Sequence, residues 1–198
     1  MPFGDRQVVI GADPDLKSPA LAMMDVLTKE VLMVGKVKVE EKATEHAGVV
    51  ACVNASRGCF RDMLAQADQP TVLAIAVEGQ EIVYTARSGG NPRSIMFLAA
   101  AAGGMLAEAS YETENVLFPS PKDWKGDVPK QIHQARILGR LGFEVEKRGK
   151  DAKTGYCVPI GCKAMGASAL NTGDWKHVSD AIGLAEWTCN LITKGRKR

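Results

Sequence analysis

The stretch "QVVIGADPD", residues 7–15, runs from an apolar segment straight into acidic residues. Its apolar part predicts a buried strand, and Asp13 stands where that strand ends. A buried carboxylate is costly to desolvate unless a cation or hydrogen-bond donors compensate it. Asp13 therefore either belongs to a turn before Pro14 or holds a positive charge, and residues elsewhere in the chain have to decide between these two functions.

The composition is that of an ordinary globular protein, with 198 residues, 45% of them hydrophobic and 24% charged. We expect residues 1–198 to form a single domain, with a loop excursion at residues 147–173 and a basic C-terminal tail. We see neither a membrane-spanning apolar run nor a secretion signal. The five cysteines have no framework spacing, which fits a reducing compartment, and Cys157 and Cys162 lack the CxxC spacing of a zinc site. We therefore expect a cytoplasmic protein, in a bacterium or a phage-infected host, with no membrane partner.

Positive charge is concentrated in the second part of the chain. Residues 1–121 hold 10 Lys/Arg against 15 Asp/Glu, whereas residues 122–198 hold 15 against 8. The terminal "KGRKR" supplies four of these charges and is explained equally well as a solubilising tail. The excess is compatible with a polyanionic partner such as nucleic acid, but it does not by itself require one.

The order of predicted elements indicates the fold class. Short links between the first three strands predict an antiparallel meander, and strands alternate with helices after it. This order predicts an α/β fold with a mixed five-stranded sheet and helices on both faces. The predicted strands cover residues 7–12, 19–26, 31–39, 70–79 and 115–121, and the predicted helices cover residues 43–67, 91–110, 129–141 and 175–191.

Two further acids occupy positions similar to that of Asp13. Glu78 directly follows the apolar strand "TVLAIAV", and Asp180 lies near the start of the last helix, three residues after His177 and on the same face. Each has an ordinary explanation when taken alone, as a turn residue, a surface strand end or a hydrogen-bonded core histidine. Taken together, acids at adjacent strand ends that face an acid and an imidazole would repel one another. Divalent cations would relieve this repulsion. A site with oxygen ligands that leaves some coordination positions of the metal open suits Mg²⁺ or Mn²⁺.

Three motifs resemble, in order, the catalytic motifs of the RuvC family of Holliday-junction resolvases. They are "VVIGADPD", "AIAVEGQ" and "HVSDAIGLA". The helix "NPRSIMFLAAAAGG" is similar to the one that follows the second motif in that family, and "FPSPKDWKGDVPKQIHQAR" is similar to a segment of its phage-type members. The resemblance covers most of residues 7–191 and implies the RNase H-like fold.

The resemblance also implies a function. It makes Asp13, Glu78, His177 and Asp180 the catalytic and metal-binding set, with Mg²⁺ as cofactor and Mn²⁺ as its substitute. Asp15, followed by Asp25 and Asp174, is the first alternative among the neighbouring acids. The family resolves four-way DNA junctions in recombination and repair, as a homodimer that makes paired symmetric nicks and leaves 5′-phosphates. Two metal ions about 4 Å apart would form the hydrolytic clamp.

Contacts with DNA are predicted from the same segments. Lys125 and Lys130 bracket the start of a helix in the basic segment and are expected to neutralise phosphates. Arg136 follows on that helix, and Tyr84 is expected to stack on an unpaired base after the second motif. The excursion at residues 147–173 adds lysines that would also reach DNA.

The first motif departs from the family, because it reads Asp-Pro-Asp where Asp-Pro-Gly is expected. Together with the Trp124-Lys125 segment and the excursion, this departure favours a phage or viral member. Two other functions stay open. One is a different RNase H-like nuclease that cuts flaps, forks or RNA, and the other is a catalytically inactive junction-binding protein. The sequence contains no P-loop, which disfavours a phosphate-binding ATPase.

Overall fold

A mixed five-stranded sheet forms the centre of the computed structural model, which describes residues 6–15, 18–36, 39, 45–67, 70–79 and 92–195. The strand order is β3-β2-β1-β4-β5. β1 pairs antiparallel with β2 and parallel with β4, while β3 and β5 extend the two sides. The prediction of a mixed five-stranded sheet is confirmed. The strands are β1 (Gln7–Asp13), β2 (Ala20–Asp25), β3 (Val31–Lys36), β4 (Thr71–Val77) and β5 (Val116–Leu117).

Helices cover both faces of this sheet, as predicted. On one face, α1 and α2 pack against Ile10 and Ile75 through Phe60 and Met105. On the other face, the apolar core includes residues of α4 and α5 together with Val9 of β1. A short helix, α3, which the sequence analysis did not predict, adds a buried Trp124 to this second face. The helices are α1 (Glu45–Gln66), α2 (Pro92–Glu112), α3 (Pro121–Lys125), α4 (Lys130–Arg140) and α5 (Trp175–Gly195). None of the described helices is long and apolar enough to cross a membrane.

The pleat of β1 decides which way its terminal acid faces. Successive side chains of a strand point to opposite faces, so the odd-numbered positions share one face. Val9 lies in the core on the α5 side, whereas Ile10 lies in the core on the other side. Asp13 is therefore in phase with Val9 and faces α5. The same alternation along β4 places Glu78 in phase with Ala76, which also lies on the α5 side.

Helix α5 lies directly on the backbone of β1 at Gly11. A Cβ atom at this position would contact the carbonyl oxygen of Ala181 and would stand 2.5 Å from the amide nitrogen of Ala185. No side chain fits between strand and helix here. Gly11 is thus required by the close approach of α5, and that approach brings the start of the helix next to the end of β1.

Part of the predicted loop excursion is instead a β-hairpin. Strands β6 (Glu144–Arg148) and β7 (Tyr156–Ile160) pair antiparallel outside the main sheet. The chain then returns to the sheet edge, where Met165 exchanges backbone hydrogen bonds with Leu32 and Val34. The hairpin was not predicted because β6 carries four charged residues out of five, which hides the apolar alternation of a strand.

Candidate active site

Three predicted acids come together at the ends of two neighbouring parallel strands. Asp13 is the last residue of β1, and Glu78 directly follows β4, where its backbone N–H donates to the carbonyl of Ala12 at 2.9 Å. Asp180 reaches the same place from the first turns of α5. All three side chains are buried, with Glu78 6% and Asp180 3% exposed. The structure therefore places three carboxylates from distant parts of the chain in one buried cluster.

The electrostatics of Glu78 reflect this crowding. Burial of its carboxyl group, followed by the negative charge of Asp13, raises its pKa from 4.5 to about 7. The charge of Asp180 acts in the same direction, and the ammonium of Lys125 opposes it. The carboxyl of Glu78 therefore holds a proton to much higher pH than a carboxyl in water.

Two lysines lie among these acids and neutralise part of their charge. Lys125 Nζ lies 3.2 Å from Glu78 Oε1, and Lys130 forms an ion pair with Asp180. Burial by itself would lower the pKa of Lys130, but the charges of Asp180, Asp13 and Glu78 together raise it above its ordinary value. Lys125 and Lys130 were predicted as phosphate contacts. In the structure each of them pairs with a carboxylate of the cluster.

His177 connects the start of α5 to the end of β1. Its Nδ1 lies 2.9 Å from Asp13 Oδ2, and its Nε2 lies 3.6 Å from Asp15 Oδ2. The imidazole thus stands between two carboxylates, one at each ring nitrogen. Asp15, the first alternative among the neighbouring acids, is therefore connected to Asp13 by its contact with this histidine.

The other candidates lie elsewhere. Asp25 accepts hydrogen bonds from the backbone of the turn after β2, and Asp174 pairs with Lys36, so both have structural functions. Arg136 is exposed on α4 and takes no part in the ion pairs of the acid cluster. Tyr84 lies outside the described residues.

The comparisons with known proteins concern the fold of the chain. No protein-family model matches the sequence, and no curated protein matches it. Solved structures do match. RuvC of T. thermophilus in complex with a Holliday junction substrate superimposes with a TM-score of 0.62 at 17% identity, over 96% of this chain and 96% of that chain. A second Thermus thermophilus RuvC structure gives a TM-score of 0.61 at 19% identity, over 95% and 96%.

This chain has the RuvC fold. The predicted RNase H-like architecture is therefore confirmed over nearly the whole length of both chains. The yeast mitochondrial Holliday junction resolvase Ydc2 aligns with a TM-score of 0.47 at 14% identity, over 97% of this chain and 85% of that chain.

Two residues of this RuvC fold hold the acids in place and were not predicted as site residues. The indole Nε1 of Trp124 donates to Glu78 Oε1 at 3.2 Å, and the side-chain amide of Gln134 donates to Asp180 Oδ1 at 2.8 Å. Gln134 follows Lys130 by four residues, so both side chains leave the same face of α4. This four-residue spacing could have identified Gln134 as a site residue. It is informative only when the contact between Lys130 and Asp180 is already known.

The donor set suits a hard divalent cation. The three carboxylates supply the oxygen ligands that Mg²⁺ and Mn²⁺ prefer in proteins. Among the described residues, no three histidine, cysteine or acidic side chains already stand at metal-binding spacing. Burial, followed by the negative charge of Asp13, raises the pKa of Glu78, and a nearby divalent cation would stabilise its ionised form. The residues therefore fit a metal ion chemically, with lysine ammonium groups supplying the positive charge in the arrangement seen here.

Proposed function

We propose that this protein is a metal-dependent, structure-selective DNA endonuclease of the RuvC type that resolves four-way junctions. The observation that carries the proposal is the convergence of Asp13, Glu78 and Asp180 from two strand ends and a helix. A RuvC with the same fold is known in complex with a Holliday junction substrate, which supports this choice of substrate. The three sequence motifs fall on these three acids, in the order of the RuvC family.

Asp13, Glu78, His177 and Asp180 would hold the metal ions in this proposal. Mg²⁺, or Mn²⁺ in its place, would supply Lewis acidity at the scissile phosphate and a lowered pKa for the attacking water. Glu78 has to be deprotonated to serve as a ligand, which its pKa of about 7 permits at neutral to alkaline pH. Cleavage would leave a 5′-phosphate on each nicked strand.

The histidine and the lysines of the site have further functions in this proposal. His177 has a carboxylate near each ring nitrogen, so it is placed either to bind a metal ion or to relay a proton. Lys125 and Lys130 would turn their ammonium groups to the DNA phosphates once the acids have another counter-cation. The same two lysines would then neutralise the acids in the free protein and the phosphates in the complex.

Paired nicking requires two active sites related by symmetry, so the proposal includes a homodimer. It also includes a single nuclease domain and a phage or viral origin, following the Asp-Pro-Asp motif. Light scattering at micromolar concentration should give a mass twice that of the 21.2 kDa chain. A monomer at that concentration, with or without junction DNA, would contradict paired symmetric incision.

The function is tested on a panel of synthetic four-way junction, flap, DNA duplex and RNA–DNA hybrid at one salt concentration. We expect nicking of the junction in Mg²⁺ and little cutting of the other three. Preferred cutting of flaps or hybrid would assign another RNase H-like nuclease, and binding without cutting in any metal would assign an inactive junction-binding protein.

The Asp13→Asn variant tests the site itself. It removes a charge while keeping the shape of the side chain, so it should abolish nicking in Mg²⁺ and preserve junction binding in Ca²⁺. Asp62→Asn is the matched control, because Asp62 is exposed on α1, across the sheet from the cluster. Nicking by Asp13→Asn at the rate of the Asp62→Asn control would exclude Asp13 from the chemistry.

A further inference from the structure

Gln134 is a buried amide that is hydrogen-bonded both to the acid cluster and to the β6–β7 hairpin. Its side chain is fully buried, with 0% exposure, on the inner face of α4. Its Nε2 donates to Asp180 Oδ1 at 2.8 Å and to the carbonyl of Lys176 at 3.2 Å. Its Oε1 accepts from the backbone N–H of Cys157, on strand β7, at 2.8 Å. One side chain therefore joins α4, α5 and the β6–β7 hairpin.

The carboxylate of Asp180 is held on both oxygens by one turn of α4. Gln134 donates to Oδ1, while Lys130 pairs with Oδ2. The lysine contact is an ion pair with a mobile ammonium group, which a metal ion or a phosphate could draw away. The amide is neutral and fully buried, so it would remain in place when the lysine leaves.

The hairpin reaches Asp180 through a single residue of β7. The N–H of Cys157 binds Gln134, and its carbonyl accepts from the hydroxyl of Ser179 at 2.8 Å. Ser179 is the neighbour of Asp180 on α5, but its bond to Cys157 does not touch the carboxylate. Gln134 thus makes the direct contact with Asp180, and Ser179 fastens the same strand beside it.

We propose that Gln134 is a positioning residue that orients the Asp180 carboxylate for metal binding and links it to the β6–β7 hairpin. The inference rests on the proposed metal-dependent function of this site. Hydrogen-bond partners behind a metal ligand fix its orientation, and losing one typically lowers metal affinity by about 10- to 100-fold. Gln134 is expected to act in this way through Asp180, without contact to DNA.

The test measures Mn²⁺ affinity by titration calorimetry in the absence of DNA. Gln134→Met keeps the size of the side chain and removes its hydrogen bonds, so it should weaken Mn²⁺ binding by about 10- to 100-fold. Ser179→Ala is the matched control, because it breaks the other bond to Cys157 and leaves Asp180 bonded. Circular dichroism confirms that each variant is folded. Equal Mn²⁺ affinity in Gln134→Met and Ser179→Ala would overturn the proposal.

A second measurement uses the unaltered protein and does not depend on the folding of a variant. Hydrogen exchange of the Cys157 amide should slow several-fold when Mn²⁺ binds, because Asp180 and Gln134 then become more rigid. The Gly155 amide, which bonds within the hairpin loop to Asp151, should be unaffected. An unchanged Cys157 exchange rate would refute the link to the hairpin. Absence of Mn²⁺ binding by the unaltered protein would instead refute the proposed function.

Discussion

The raised pKa of Glu78 predicts that the metal-free protein loses stability between mildly acidic and neutral pH. The folded state binds the Glu78 proton more tightly than the unfolded state does, since the folded pKa is about 7 against an ordinary value of 4.5. Stability from this group is fully present below pH 4.5 and is lost as the pH rises toward 7. At about 1.4 kcal/mol for each pKa unit, the loss amounts to about 3 kcal/mol in the free energy of unfolding.

The assay is urea denaturation of the wild-type protein and of Glu78→Gln, without metal, from pH 4 to pH 8. Glutamine resembles the protonated acid, so the variant should match the wild type near pH 4 and exceed its stability by up to about 3 kcal/mol at pH 8. Saturating Mg²⁺ at pH 8 should stabilise the wild type more than the variant, because the cation replaces the lost proton. Glu114→Gln, at an exposed carboxylate, is the control and should follow the wild-type curve. A Glu78→Gln curve parallel to the wild type at every pH would refute the buried-charge reasoning.

Two further predictions concern the packing of α5 and the lysine of α4. Gly11→Ala should lower the free energy of unfolding by about 3 kcal/mol, because the added Cβ meets backbone atoms of α5. Gly103→Ala, at an exposed position of α2 with open space around it, should raise that free energy by about 0.5–1 kcal/mol. Urea denaturation measures both, and equal effects would contradict the close contact at Gly11. Lys130→Ala should weaken junction binding in Ca²⁺ and reduce the slope of log affinity against log salt by about 1, and an unchanged slope would remove Lys130 from the phosphate contacts.

The sequence predicted the central features of the fold because they are encoded locally. An apolar run that ends in an acid marks both β1 with Asp13 and β4 with Glu78, and the parallel pairing of these strands brings the two acids together. His177 and Asp180 share a helix face through their three-residue spacing. These signals depend on neighbours in the chain, so they could be read without coordinates.

The contacts around the acids could not be predicted in this way. Lys130 and Gln134 reach Asp180 across about 50 residues of chain, and only the packing of α4 on α5 determines which side chains meet there. The lysines were expected at phosphates because a sequence gives their charge but not their nearest acid. Much of the β6–β7 hairpin was predicted as a loop. Strand β6 has a single half-buried apolar residue, Val145, among charged residues such as Lys147 and Arg148, so its sequence lacks the apolar alternation of a strand.

The direct contact of α5 with β1 at Gly11 has a consequence for how the protein responds to heating. Because helix and strand touch through their backbones, the relative position of Asp13 and Asp180 cannot relax while the core stays folded. Loss of the proposed nuclease activity on heating should then coincide with the cooperative melting of the core, and a partially active state below the melting temperature is not expected.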